Sequence, residues 1–232
     1  MFIKTLLLLV AANVLSAGHI GYPKNRIIGG SNIAIEKAPW QVYLDSHTHT
    51  CGGSLIRPDV VLTAAHCVKL TKLETHRVRV GSSNRVEGGQ LFTVAKMVKH
   101  HNADIAVLRL SNPVKIGPSA QTIALAKYAP PAGAQALLTG WGWISPNVKE
   151  APIILQGINV TILSSDECTD EKSICAGSKE KTACGGDSGG ALVVNNQAVG
   201  VVSTGSCEGP TQHVSVPYYH LWILGAVEEL YL

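Results

Sequence analysis

The chain has 232 residues, of which 46% are hydrophobic and 15% are charged. This is enough apolar material for a sizeable core, in one globular unit or in two small units tightly fused. The formal charge of +3 includes three basic residues, Lys4, Lys24 and Arg26, in a segment that we expect to be removed. Without them 16 basic residues face 16 acidic ones, so the charge gives no argument for a nucleic-acid partner.

Residues 1–18 have the pattern of a secretory signal peptide. Lys4 supplies the positive start, residues 6–14 supply an apolar run, and residues 16–18 are small, as signal cleavage requires. The apolar run is too short to span a membrane, which leaves an N-terminal anchor as the weaker alternative. We therefore expect a secreted, extracellular protein without a membrane partner.

Residues 19–26 form a short polar segment that ends at Arg26 and is followed by Ile-Ile-Gly-Gly from Ile27. A basic residue before an apolar start is typical of an activation site for a protease that cuts after arginine. The alternative is an ordinary N-terminal tail. The segment has no cysteine, so no disulfide would hold it after cleavage.

From residue 27 onward, turn residues separate short apolar runs that are rich in β-branched residues, which is typical of an all-β sandwich or barrel and not of βαβ units. Residues 130–133 are a plausible linker near the middle. Pro217, followed by Leu221, Leu224 and Val227 at helical spacing, predicts an amphipathic C-terminal helix. The predicted strands cover residues 40–44, 60–62, 78–80, 92–94, 105–110, 136–139, 157–163, 191–194 and 199–203.

Six cysteines in a secreted chain favour disulfides, and the sequence alone allows 15 pairings. A zinc site is a weak alternative because the chain has no Cys-x-x-Cys pair.

Residues 183–190, Ala-Cys-Gly-Gly-Asp-Ser-Gly-Gly, predict a tight turn that presents the hydroxyl of Ser188. Glycine permits positive φ and lets backbone N–H groups approach a ligand closely. A serine hydroxyl is a weak nucleophile and needs a neighbouring base. The candidate base is His66, in Ala-Ala-His-Cys, and Asp104, in Asn-Ala-Asp-Ile-Ala, would orient it.

These motifs, with the Ile-Ile-Gly-Gly start and in this order, resemble the chymotrypsin/trypsin family of serine proteases from about residue 27 to the end. The resemblance implies two antiparallel six-stranded β-barrels with a C-terminal α-helix. It divides the protease domain, residues 27–232, into an N-terminal barrel of about residues 27–129 and a C-terminal barrel of about residues 130–232, with the active site between them. The short loops are similar to those of insect members.

The resemblance also implies roles for individual residues. Ser188 would attack the scissile carbonyl, His66 would take its proton, and Asp104, buttressed by Ser203, would orient the imidazole. The backbone N–H groups of Gly186 and Ser188 would form the oxyanion hole.

The resemblance assigns Asp187 to activation. After cleavage at Arg26, the new amino terminus at Ile27 would fold inward and pair with this carboxylate, because a buried ammonium and a buried carboxylate are tolerable only as a pair. Cleavage would then act as an electrostatic switch. A turn-stabilising role for Asp187 is the plainer alternative.

Among the pairings, the resemblance selects Cys51–Cys67, Cys168–Cys175 and Cys184–Cys207. The first would clamp the loop that carries His66, and the third would fix the nucleophile loop. We expect no cofactor and no metal, because Glu87 is the only acid in residues 80–90 and is a poor site for a hard cation. Asn159 begins a glycosylation sequon but lies in a predicted strand.

The specificity pocket departs from that of trypsins. Thr182 stands six residues before the serine, where trypsins carry a carboxylate, so that a bound Lys or Arg would be buried without a partner. Ser203, Thr204 and Gly205 would form the walls, with Gly205 leaving the entrance open, and Thr211 would shorten the pocket. The sequence predicts cleavage after a small or medium uncharged residue.

We therefore expect a serine endopeptidase made as a zymogen, acting as a monomer on protein or peptide substrates. Its other partners would be an activating trypsin-like protease and protein inhibitors. One alternative enzyme class is the α/β-hydrolases, because residues 186–190 satisfy Gly-x-Ser-x-Gly, but no aspartate follows Ser188. The other alternative is an inactive homologue that acts as a binding or regulatory module.

Overall fold

The structure is a computed structural model, and it describes residues 29–46, 49–69, 73, 75–147, 149–168, 171–205 and 207–232. The expected signal peptide, the activation segment and the scissile bond at Arg26–Ile27 lie outside these residues. No helix in the described part is long and apolar enough to cross a membrane.

The described residues form fourteen strands and one α-helix. The strands are β1 Ser31–Asn32, β2 Gln41–Asp45, β3 Thr50–Arg57, β4 Val60–Thr63, β5 Arg77–Val80, β6 Gln90–Lys99, β7 Ala106–Leu110, β8 Ala124–Leu125, β9 Gln135–Gly140, β10 Gln156–Thr161, β11 Ser173–Ala176, β12 Ala191–Val194, β13 Gln197–Thr204 and β14 Thr211–Ser215. The helix α1 is His220–Glu229.

Six strands of the first half close into a barrel, in the order β2-β3-β4-β7-β6-β5. Strand residues alternate between the two faces of a sheet, and one face of each strand supplies the barrel interior. Leu44, Leu55, Leu62 and Leu108 are almost fully buried there. This closed barrel with an apolar interior carries the first half of the site.

The second half forms an eight-stranded sheet in the order β1-β10-β9-β12-β13-β14-β11, with β8 pairing alongside β13. Two of these strands, β1 and β8, have two residues each, and the remaining six are the longer strands of the second half. Leu138, Ile158, Leu192 and Val202 form its core. The all-β class, the six-stranded barrel and the C-terminal helix are as the sequence predicts.

Every predicted strand overlaps an observed one, but the sequence analysis missed the two-residue strands β1 and β8 and the longer strands β3, β11 and β14. In β3 the reason is the pair Gly52 and Gly53, which lowers β propensity. Gly52 is needed there because a Cβ would meet the backbone nitrogen of Gly190 at 3.0 Å. A residue that weakens the strand signal is therefore what allows the first barrel to approach the Ser188 loop.

The helix lies where it is predicted, but its buried face is different. Leu221 is 82% exposed and Leu224 is 42% exposed, whereas Ile223, Ala226 and Val227 pack against the first barrel. This helix carries apolar residues on most of its sides, so their spacing alone could not identify the face that the barrel covers.

The observed helix face predicts a sharp difference between two neighbouring substitutions. Ile223→Ala should lower the free energy of unfolding by about 2–5 kcal/mol, because it opens a cavity under α1. Leu221→Ala should change it by less than about 0.5 kcal/mol, because this side chain is in solvent. Urea unfolding of both variants checks this, and equal losses would contradict the assignment of the face.

The two halves meet along a third apolar cluster, which includes Trp40, Tyr43 and Trp141. Hydrogen bonds cross the same junction: Thr139 Oγ1 donates to Gln41 Oε1 at 2.6 Å, and the N–H of Gly52 donates to the carbonyl of Ser188 at 2.7 Å. The loop that carries Ser188 is thus fixed to the first barrel by its own backbone.

Candidate active site

His66 lies on a short 3₁₀ helix, Ala65–Cys67, directly after β4. The disulfide Cys51–Cys67 ties this helix to β3, and the expected pairs Cys168–Cys175 and Cys184–Cys207 are also present. The histidine side chain is 45% exposed, so its imidazole is accessible from solvent.

Asp104 lies just before β7 and accepts three hydrogen bonds. Its Oδ2 accepts from His66 Nδ1 at 2.7 Å and from Ser203 Oγ at 2.7 Å, and its Oδ1 accepts from the backbone N–H of His66 at 2.9 Å. Because a carboxylate accepts at Nδ1, the proton of a neutral imidazole is held there and Nε2 is left as the basic nitrogen.

These bonds determine the ionisation of Asp104. Burial alone would raise its pKa, but the hydrogen bonds from His66 and Ser203 outweigh that effect, and its pKa is lowered from the ordinary value. Lys99, which sequence analysis did not single out, interacts with the same charge from β6. Burial lowers the pKa of Lys99, and the Asp104 charge acts in the opposite direction.

Ser188 is half-buried in the turn before β12. Its carbonyl oxygen lies 3.6 Å from Cys67 Sγ, which lies 3.7 Å from His66 Nε2. The serine and the histidine therefore flank the same disulfide, although no hydrogen bond joins Ser188 Oγ to His66 Nε2. Such bonds are often long in enzymes without substrate and tighten only when substrate is bound.

The backbone of residues 186–190 in this turn has two unused donors. The N–H groups of Asp187, Gly189 and Gly190 donate to carbonyls of the protein, whereas those of Gly186 and Ser188 donate to none in the described residues. Gly186 has a φ of +99°, a conformation that favours glycine. This pattern leaves two N–H groups of one turn available to an anion.

Asp187 is fully buried. Its Oδ1 accepts from the N–H of Gly142 at 2.8 Å and its Oδ2 from the N–H of Cys184 at 3.0 Å. A Cβ at Gly140 or Gly142 would collide with this carboxylate, so only glycine leaves room for it. Burial raises the pKa of Asp187 to about 6, since no cation of the described residues pairs with it.

Comparison with known proteins identifies the family of the chain. Residues 27–223 match the family model described as Trypsin. The chain is 38% identical over 210 residues to hypodermin-B of Hypoderma lineatum, covering 83% of this chain and 82% of that protein. It is 37% identical over 227 residues to trypsin alpha of Drosophila erecta, covering 88% and 89%.

This chain belongs to the trypsin family. Two solved structures are similar to it, both 29% identical. One is neuropsin, a serine protease expressed in the limbic system of mouse brain, with a TM-score of 0.77 over 85% of this chain and 98% of that one. The other is the scabies mite inactivated protease paralogue S-D1, with a TM-score of 0.83 over 88% and 98%.

In this trypsin-family chain, we call the space between residues 182–184 and 203–205 the specificity slot. Thr182 is fully buried, Thr204 is exposed, and Thr211 is buried at the start of β14. Gly205 lies close to Cys184 across the slot. A Cβ at Gly205 would lie 2.9 Å from the carbonyl oxygen of Cys184, so the two walls approach each other closely at that point and a larger residue would have no room there.

His213, on β14, is a residue that the sequence analysis did not single out. It is 1% exposed, and its Nε2 lies 3.1 Å from Thr211 Oγ1. Burial lowers the pKa of His213 to about 4, so that the ring is neutral at pH 7. Its position two residues after Thr211 on the same strand could have signalled a shared face.

The side chain of Arg79, on β5, binds the loop of residues 80–90. The guanidinium of Arg79 donates to the carbonyls of Arg85 at 3.1 Å, Val86 at 2.7 Å and Gly88. Glu87 accepts from Asn84 at 3.1 Å. An arginine side chain therefore occupies the carbonyl cluster that this loop could otherwise offer to a metal.

A separate group of potential metal-binding atoms surrounds His66. The sulfurs of Cys51 and Cys67 lie within 4.8 Å of its ring nitrogens, but both belong to a disulfide. Metal coordination by cysteine requires a thiolate, which a disulfide sulfur lacks.

Asn159, the sequon residue, lies exposed on β10.

The hydrogen bonds of Asp104 predict the effect of removing one donor. Ser203→Ala should raise the pKa of Asp104 toward its ordinary value, because the carboxylate loses a donor that stabilises its charged form, and should lower the free energy of unfolding by about 1 kcal/mol. Carboxyl ¹³C NMR titration measures the pKa. Ser203→Thr, which keeps a hydroxyl, is the control, and an unchanged pKa in Ser203→Ala would contradict the assignment.

The raised pKa of Asp187 predicts a pH-dependent stability of the uncleaved chain. Between the ordinary pKa of 3.8 and about 6 the folded protein binds a proton that the unfolded chain does not. Unfolding free energy should therefore fall as the pH rises through this window, by on the order of 3 kcal/mol, and then level off.

The control for this measurement is Asp187→Asn, which has no titrating group at this position. Subtracting its pH profile from that of the uncleaved wild type isolates the contribution of Asp187. Superimposable slopes for the two proteins between pH 4 and pH 6 would rule out a buried, unpaired carboxyl group.

Proposed function

We propose that this chain is a secreted serine endopeptidase, made as a zymogen and activated by cleavage between Arg26 and Ile27. The observation that carries the proposal is the set of three hydrogen bonds that Asp104 accepts from His66 and Ser203. This arrangement leaves His66 Nε2 as a base beside the Ser188 turn. It is supported by the family of the chain, whose relatives include trypsin alpha of Drosophila erecta.

The proposed reaction divides peptide hydrolysis into two steps. His66 Nε2 takes the hydroxyl proton as Ser188 Oγ bonds to the scissile carbonyl carbon, and the imidazolium then gives that proton to the leaving amine. Water, deprotonated in the same way, breaks the acyl-enzyme ester and regenerates the serine. Asp104 stays ionised and stabilises the imidazolium.

The two unused N–H groups of Gly186 and Ser188 fit the oxyanion hole in this mechanism. They would donate to the carbonyl oxygen as it gains negative charge. One such donor typically contributes a factor of about 10²–10³ to the rate. Glycine at 186 keeps its N–H unobstructed by a side chain.

Activation would act through Asp187. In the uncleaved chain its charge is balanced only by the N–H groups of Gly142 and Cys184. An α-amine at Ile27 would supply the missing cation and draw the carboxylate toward it. That movement would break the hydrogen bond from the N–H of Cys184 to Asp187 Oδ2. Cys184 could then move away from Gly205, and the specificity slot between them would open.

The slot would not favour lysine or arginine before the scissile bond. A cation buried beside Thr182 would lose its hydration without gaining a carboxylate partner. An uncharged side chain of small or medium size avoids this cost.

The proposed partners follow from this activity. Substrates are proteins or peptides, a trypsin-like protease would cut after Arg26, and protein inhibitors would bind at the same cleft. The protein would act outside the cell as a monomer, without a metal or an organic cofactor. Asn159 is exposed and open to glycosylation on β10.

The alternative is an inactive homologue that binds other proteins, as a member of this family can be. The neighbour from the scabies mite is named an inactivated protease paralogue. Our chain keeps His66, Asp104 and Ser188, and two of these are joined by a 2.7 Å hydrogen bond, which favours the enzyme.

An active-site label separates the two. A fluorophosphonate probe should react with the chain after cleavage at Arg26, since it requires an activated serine. Labelling should be lost in Ser188→Ala, and His66→Ala should slow it by about 10²–10⁴-fold. Mass spectrometry locates the labelled residue and gel fluorescence gives the rate.

Two further proteins serve as controls. Ser165→Ala removes an exposed serine on a distant 3₁₀ helix and should label like the wild type. Arg26→Gln, which resists cleavage, should label at a small fraction of the wild-type rate. Correctly cleaved, folded protein that does not label would favour the binding module.

A further inference from the structure

Four buried side-chain polar atoms in the described residues have no hydrogen-bond partner. Two of them are Thr182 Oγ1, in one wall of the specificity slot, and His213 Nδ1, on β14 beside Thr211. A buried polar atom without a partner costs free energy, and native proteins rarely retain one without a reason. Two in one region point to a group that is absent from the protein itself.

The two atoms belong to one region of the fold. Thr211 pairs with Ala176 across β14 and β11, and Gly177 follows Ala176 directly. A Cβ at Gly177 would lie 3.6 Å from the Cα of Thr182. His213 is hydrogen-bonded to Thr211 on the same face of β14, and Thr182 is close to Gly177, next to the residue that pairs with Thr211.

Thr182 and His213 together offer both a hydrogen-bond donor and an acceptor. A neutral imidazole has one donor and one acceptor, and the contact with Thr211 uses one of them. The remaining nitrogen, Nδ1, is an acceptor if Nε2 carries the proton and a donor if it does not. The hydroxyl of Thr182 can act in either direction, so together they can satisfy one donor and one acceptor at the same time.

We infer that His213, Thr182 and Thr211 form the floor of the specificity slot and select a carboxamide side chain, asparagine or glutamine, before the scissile bond. A carboxamide is the common side chain that presents a donor and an acceptor next to each other without charge. It would pair both orphaned atoms on entering, and an apolar side chain of the same size would leave both unpaired.

The floor does not favour a charged side chain. Burial makes the protonated form of His213 unfavourable, so that a carboxylate from glutamate or aspartate would enter without a positive partner. The neighbouring charged residues in sequence, Lys181 and Glu208, are exposed. This inference rests on the proposed protease activity and names its substrate class.

The test uses the full protein, cleaved at Arg26, and peptide substrates that differ only in the residue before the cut. The pairs Gln and Met, Asn and Leu, and Gln and Glu have matched size and differ in hydrogen bonding or charge. We expect kcat/KM for each carboxamide to exceed that of its partner by about tenfold or more, because the partner leaves buried polar groups unpaired. Lysine and arginine peptides complete the series.

Two variants assign the preference to the floor. His213→Phe keeps a ring and removes both nitrogens, and Thr182→Val keeps the shape and removes the hydroxyl. Each should bring the Gln-to-Met ratio of kcat/KM several-fold closer to one. His220→Phe, on α1, is the matched control and should keep the wild-type ratio.

The outcomes separate this inference from the proposed function. Ser188 that labels with a fluorophosphonate while carboxamides have no advantage would overturn the inference and leave the protease proposal standing. A preference for Glu, Lys or Arg would also overturn it. If Ser188 does not label, the protease proposal fails and this inference fails with it. If His213→Phe does not fold, the wild-type series and Thr182→Val still decide.

Discussion

The position of one buried carboxylate governs the site. Asp187 is fully buried and is held only by two backbone N–H groups, from Gly142 and Cys184. Cys184 in turn contacts Gly205, the opposite wall of the specificity slot. A buried charge is stabilised most by an opposite charge. A cation supplied to Asp187 would therefore displace the segments whose N–H groups now stabilise the carboxylate. The turn that carries Ser188 and the slot are both attached to those segments.

Asp104 differs from Asp187 because it accepts hydrogen bonds from two side chains. Its bonds join His66 on the first barrel to Ser203 at the end of β13 in the second sheet, so one carboxylate links the two halves of the molecule. The three hydrogen bonds that it accepts all come from residues 66 and 203. In our proposal the base is therefore in place before cleavage, while the turn that carries Ser188 and the slot beside it depend on activation.

Two other regions, the floor of the slot and the loop of residues 80–90, differ in how their polar groups are paired. The floor of the slot carries two threonines and a neutral histidine in a region where trypsins carry a carboxylate, and the loop of residues 80–90 holds the guanidinium of Arg79 among its carbonyls. The loop carbonyls are satisfied by the guanidinium, whereas Thr182 Oγ1 and His213 Nδ1 have no partner in the described residues. In our proposal the consequence at the slot is selection by hydrogen bonding.

The sequence by itself determined the all-β class, the pairing of cysteines once the family was noted, and the identity of the candidate nucleophile, base and acid. These follow from local motifs, in which the needed residues stand next to each other. The tertiary structure alone decided the buried face of α1, the contact of Gly205 with Cys184, the cradle of glycines around Asp187 and the place of His213. Each of these depends on which distant backbone covers a residue, and neither spacing nor composition contains that information.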